Sequence, residues 1–187
     1  TAMEGLSRFR AAALALITAA SCIKDSSDVP PDSNPSAAML AACEEDDFQY
    51  LAFAGPAFDE AGKLKMPLPR GHIVATTAGW AKPDPELLEE VKAHNKDVMA
   101  DVFGRDGLYG AGFAWSTKCG SSRSLSFWRD ERSMMEFVLG KTHSAAITII
   151  GRTTYGWETT HWTEDSSTEP TTFEAAKAKL AEVRQHP

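Results

Sequence analysis

Between residues 122 and 162 the chain changes its hydrophobic period twice. Leu125 and Phe127 alternate with Ser124, Ser126 and Trp128, the period of two expected of a half-buried strand. Asp130 then offers a side-chain oxygen to the start of a helix, and Glu131 puts negative charge in its first turn. Met134, Phe137, Val138 and Ala145 continue as one apolar stripe, so a single helix is expected from 131 onward. From 153 to 162 the residues are β-branched and aromatic, which favours a strand again.

The same pattern stands upstream. Residues 72–80 (HIVATTAGW) read as a strand. Asp84, Pro85 and Glu86 form a helix start, with the proline at the first helical position. Leu87, Val91, Val98 and Val102 then mark one apolar face as far as Phe103, with Gly104 and Gly107 closing the helix. Two further strands, 108–118 and 122–129, meet around Cys119-Gly120 as a hairpin. The order β-α-β-β-α-β is the split unit of a ferredoxin-like α+β domain. An amphipathic segment from 172 to 185, carrying Phe173, Ala176, Leu180 and Val183, adds a C-terminal helix. Ahead of the repeat, the apolar stretch 48–58, broken by Gly55-Pro56, reads as a short strand or loop packed on the domain.

Composition changes this picture in two places. With 187 residues the chain is sized for one domain, and 43% hydrophobic content suffices for a core. A net charge of −7 without a basic stripe excludes nucleic acid as a partner, because such binding relies on Lys and Arg neutralising phosphates. At the N-terminus, Arg8 and Arg10 precede the apolar run 11–20, which ends Ala19-Ala20-Ser21-Cys22. That sequence has the parts of an export signal and resembles a bacterial lipobox, with Cys22 as the lipidated residue. Ala19 stands where a lipobox usually has Leu, and an amphipathic or buried helix is the alternative reading. Residues 23–47, rich in Ser, Asp and Pro, read as a flexible linker, leaving 48–187 as the domain. The expectation is an exported periplasmic or cell-envelope lipoprotein, touching the membrane only through its lipid. Cys43 and Cys119 then remain as an even pair, either bridged, as an oxidising compartment allows, or two distant thiols.

Trp128, Asp130-Glu131, Met134, Phe137, Gly140, His143, Ala146 and the closing Thr160-His161-Trp162 resemble the dimeric α/β-barrel superfamily. The nearest branch is the one related to spheroidene monooxygenase, with the antibiotic-biosynthesis monooxygenases more distant. The resemblance covers about 72–163. It implies a homodimer packed sheet against sheet, a cavity between each sheet and its helices, and a range of activities that includes cofactor-free oxygenation. It also implies that His143 is the candidate catalytic residue, since a neutral imidazole suits a general base. The plainer reading is a histidine that bonds nearby carbonyls at a helix end. The haem-degrading branch carries a Trp and, ten residues later, an axial His; Phe137 and Ile147 stand there in this chain, so no cofactor is expected, and haem would need another geometry at His143.

On the last strand Tyr155, Trp157, Thr159 and His161 share one face. Tyr155, Trp157 and His161, with Trp128 and His72, are the candidate ligand-binding residues, lining an apolar pocket for a small hydrophobic or aromatic molecule; filling of core and interface is the alternative. His72, Val74, Thr76 and Trp80 share a face of the first strand, and His72 or Trp80 is expected to join the same lining. No metal site is expected, because His72, His94, His143, His161 and His186 show no ligand-type spacing. Two function classes follow: a ligand-binding or monooxygenase-like protein, or a non-catalytic dimeric module for assembly at the envelope.

Overall fold

The computed structural model describes residues 37–185. The signal-like segment 1–22, with Cys22, lies outside the described residues, as does most of the expected linker. In chain order the elements are α1 (Ala37–Ala41), β1 (Gln49–Tyr50), β2 (His72–Ala81), α2 (Pro85–Phe103), β3 (Leu108–Ser116), β4 (Ser121–Trp128), α3 (Glu131–Val138), α4 (Lys141–Thr153), β5 (Thr154–Glu164) and α5 (Phe173–Gln185). The five-stranded sheet is antiparallel in the order β1-β3-β4-β2-β5. Without the short β1 this is the ferredoxin-like arrangement that the repeated period implies.

Register assigns every strand residue to one of two faces. Val74 lies opposite Phe127 and Trp162, and Ala75 opposite Ser126 and His161. One face therefore carries Val74, Thr76, Ala78, Trp80, Leu125 and Phe127, and the chain itself covers it. Phe58, Leu68, Phe173 and Ala176 pack there on Val74, Leu125 and Phe127; Leu40, Ala41 and Leu180 pack on Ala78 and Trp80. Phe53 sits centrally, its ring 5.3 Å from Phe127, 5.4 Å from Phe58 and 5.8 Å from Phe173. The rings lie so close to β3 that a Cβ on Gly112 would be 2.4 Å from Phe53, and one on Gly110 2.4 Å from Phe58. Gly110-Ala111-Gly112 is thus the seat of two aromatic rings. The barrel implied by the resemblance would close through this same face.

What holds the covering segment is polar and covalent. Cys43 and Cys119 form a disulfide, 76 residues apart in sequence. Two residues on, Glu45 accepts two hydrogen bonds from Arg123 at 2.7 and 2.8 Å, one from Lys177 of α5 at 2.9 Å, and one from Ser121. The Glu45 and Arg123 side chains are 7% and 3% exposed. Burial alone would raise the Glu45 pKa; the hydrogen bonds from Ser121, Lys177 and Arg123 outweigh it and hold the carboxyl below its ordinary range. Asp47 accepts from the Lys118 backbone at 2.9 Å and from Ser116. The expected flexible linker therefore stops short of Asp47. From Ala37 on the segment belongs to the domain, because its acidic run, which reads as solvated in sequence, finds cations and hydroxyls at the β3–β4 turn.

The other face carries α2 and α3. Ile73, Leu108 and Trp128 pack with Val102, Met134 and Phe137. Asp84 caps α2, accepting from the Glu86 and Leu87 amides, and Asp130 caps α3, accepting from the Ser133 amide at 2.7 Å. The single helix expected from 131 is two. α3 ends at Val138 and α4 begins at Lys141, with Gly140 between them in extended backbone. A Cβ at Gly140 would meet Arg105 Nη2 at 2.6 Å, so the break lets Arg105, paired to Asp101 at 2.7 Å, lie against the chain.

Candidate functional site

α2 leaves the end of β2 and returns across the helix face, so its two halves lie over different parts of the sheet. Beneath its C-terminal half the core is apolar. At the other end of this face, where β2 leads into α2, the sheet presents Thr77, Ser122, Ser124 and, toward the middle, Ser126, which alternate onto this face with none fully buried. Leu87, Leu88 and Val91 in the N-terminal half of α2 are half-buried rather than sealed, whereas Val98 packs on the apolar cluster. Hydroxyls on an incompletely covered sheet face are the kind of placed polar group that fixes orientation in small-molecule sites. Ser126 Oγ accepts from Trp128 Nε1 at 2.9 Å. Thr77 donates to Thr159 Oγ1 at 3.2 Å, and Thr159 to the Thr76 carbonyl at 3.1 Å. The Ser122 and Ser124 hydroxyls have no partner among the described residues and remain available to a ligand.

His143 stands in the first turn of α4, not several turns into a longer helix, because of the break at Gly140. It ends a column of rings: Trp128 stacks on Phe137 at 5.5 Å, and Phe137 lies 4.8 Å from the imidazole. His143 Nδ1 is 3.1 Å from the Val138 carbonyl. A carbonyl only accepts, so this nitrogen carries the proton, and in the neutral ring Nε2 keeps the lone pair. Burial lowers the His143 pKa, with the Val138 hydrogen bond and the charge of Asp101 opposing. The ring is therefore neutral at pH 7, the state a base requires.

The other expected site residues divide. Trp128 is fully buried in the column below His143. Trp157 and His161 share the helix face but stand on edge strand β5, 48% and 46% exposed, with His161 Nε2 3.6 Å from Glu131. Tyr155 is at the register shift where β5 leaves β2. His72 is on the opposite face, 1% exposed, its Nδ1 donating to the Pro69 carbonyl at 2.9 Å. Strand neighbours here alternate outward and inward, so adjacency of β2 and β5 does not bring His72 or Trp80 beside His161. The haem-degrading pattern of a Trp and, ten residues on along one helix, a His is not met: Phe137 and Ile147 stand on α3 and α4, and Ile147 is an exposed aliphatic side chain. No group of three or more metal-ligating side chains occurs among the described residues. The residues missed in the sequence are Ser122 and Ser124. Their signal was present in S-S-R-S-L-S-F-W, where serine occupies the strand positions that ought to be apolar on a core-facing side.

No protein-family model matches the chain, and no curated protein does. Solved structures do. SnoaB, a cofactor-independent oxygenase from Streptomyces nogalater, is 13% identical with a TM-score of 0.42, over 55% of this chain and 97% of its own. A Mycobacterium tuberculosis protein, Rv0793, is 10% identical with a TM-score of 0.47, over 52% and 99%. A conserved protein from Methanosarcina mazei is 14% identical with a TM-score of 0.45, over 51% and 95%. Each of the three covers about half of this chain. The ferredoxin-like assignment itself stands on the strand order above.

Proposed function

We propose that the protein binds a small, largely apolar molecule in the cleft between the helices and the serine-bearing half of the sheet, and oxygenates it without a cofactor. The observation that carries this reading is the pair of unpartnered hydroxyls, Ser122 and Ser124, set where a ferredoxin-like domain would otherwise place core. In such a reaction the substrate extends from Ser122 and Ser124 toward the Trp128–Phe137 column, where His143 Nε2 takes a proton from its acidic carbon. The carbanion transfers its electrons to O2, a C–O bond forms, the peroxide takes the proton back from the His143 imidazolium, and the hydroperoxide loses water, with the remaining hydrogen of the same carbon, to leave a ketone. The substrate is itself the reductant, so the balance closes with O2 and water alone. The disulfide between Cys43 and Cys119 supports an exported location, and a lipid anchor at Cys22 belongs to the same proposal.

A second reading is a ligand-binding module without turnover, favoured by the Nδ1 bond of His143 to Val138, which suits a histidine that orders the α3–α4 junction. Oxygen uptake with a hydroxyanthrone probe such as dithranol separates the two. Catalysis predicts uptake above the spontaneous rate, lowered roughly 10²-fold or more in His143→Ala and retained in part by His143→Gln only as binding. Uptake that is unchanged in His143→Ala removes the base from the mechanism. Binding of the probe without any uptake leaves the module reading.

A further inference from the structure

The two edges of the sheet differ. At one, β1 and the bridge between Ala54 and Ala111 cover β3, with the Leu51 and Ala57 amides bonded to the Phe113 and Tyr109 carbonyls. At the other, β5 runs for eleven residues and pairs only with β2 among the described residues. From Tyr155 to Thr163 its outer backbone groups make no bond among the described residues. Long open edges are templates for another strand, and proteins guard them with lysine, proline or a very short strand. β5 (TYGWETTHWTE) carries neither lysine nor proline.

We propose that this edge pairs with the β5 of a second copy, antiparallel about a two-fold axis at Thr159, joining two sheets side by side. The strand is complementary to itself in that register. Residues whose numbers are symmetric about Thr159 face each other, so Trp157 meets the partner's His161 twice, and Tyr155 meets Thr163. Glu158 and Glu164 fall opposite Thr160 and Thr154, so no two like charges are opposed. Directly opposed side chains in an antiparallel pair lie about 4.5–5.5 Å apart at Cβ, close enough for aromatic contact. The exposed Trp157 thereby gains a cover. The face of the sheet offers no such contact while the chain's own segments occupy it.

Native mass spectrometry and light scattering of the full chain test this. The unaltered protein is expected to be dimeric at micromolar concentration. Thr159→Lys and Thr159→Glu each place like charges opposite themselves on the axis and should be monomeric, and an equal mixture of the two should dimerise. Hydrogen exchange on the unaltered chain keeps the test independent of how the variants fold: the β5 amides should gain protection as concentration rises. A monomer throughout, a dimer that survives both variants, or β5 amides indifferent to concentration would each overturn the proposal.

Discussion

The two faces of one sheet have been finished in opposite ways. The covered face is closed by parts of the chain distant in sequence: α1, the stretch around Phe53 and Phe58, and α5. It is aromatic at its centre and fastened by a disulfide and a buried ion pair. The helix face is closed only over half its area, where Phe137 and Trp128 stack; the other half keeps serines and threonines within reach of solvent. Stability and the proposed ligand chemistry are thus separated by the thickness of a strand, and adjacent residues such as Arg123 and Ser124 face opposite sides of the sheet.

The largest expected effect lies at the fastening of the covered face. Glu45→Ala leaves the Arg123 guanidinium buried beside Phe48 with its carboxylate gone, and losing one partner of a buried pair costs about 3–5 kcal/mol. Urea denaturation of the two proteins measures it. A loss under about 1 kcal/mol, the range of surface pairs, would mean that the pair is not sealed. The acid limb carries the same information. The Glu45 carboxyl titrates below 4.5 in the folded chain, so its contribution is complete above that pH and is lost as the pH falls through the lowered value. Glu45→Ala should flatten this limb. Asp130, held near 2 by Arg129 and the Ser133 amide, continues to titrate in both proteins.

The disulfide comes next. Cys43→Ser with Cys119→Ser is expected to cost about 2–5 kcal/mol, chiefly by freeing a long loop in the unfolded chain. It also tests whether the covering segment is held as one unit. If so, limited proteolysis should cut the segment ahead of His72 while β2 to β5 stay intact. Unchanged proteolysis would show that the ring packing on Gly110 and Gly112 suffices alone.

How much of this was legible follows the same division. The periods of two and 3.6 are local, and they place β2, α2, β3, β4, β5 and α5 within a few residues. The break at Gly140 is not local: it depends on Arg105 lying against the chain, and the apolar stripe through Met134, Phe137 and Ala145 runs across it unaltered. The covering segment was equally hidden. Glu44 to Asp47 look solvated until Arg123, Ser116 and Lys177 arrive from distant parts of the sequence. At the site, Trp128 and His143 could be singled out by resemblance, and the structure links them through Phe137. His72 could not be excluded from the site, because alternation tells which residues share a face of one strand and leaves open how neighbouring strands are registered.

The smallest effect on stability is the sharpest test of the comparison, because a hydroxyl can be removed in favour of valine on both faces. Thr76→Val removes a buried hydroxyl that donates to the Ser124 carbonyl at 2.8 Å, and such a bond is worth about 0.5–1.5 kcal/mol net. It should lower stability by that amount and leave probe binding alone, since Thr76 points into the covered face. Ser124→Val replaces a hydroxyl by a methyl and adds a second methyl one strand away, on the floor of the proposed cleft. Its hydroxyl holds nothing among the described residues, so stability should shift by no more than about 0.5 kcal/mol. The hydroxyanthrone probe should nevertheless bind several-fold more weakly, because a polar group placed for the ligand is gone. Fluorescence titration and thermal denaturation on the two variants read both quantities. If Ser124→Val destabilises as Thr76→Val does and binds the probe as well as the parent, the open half of the helix face is packing, and Ser124 belongs with the core.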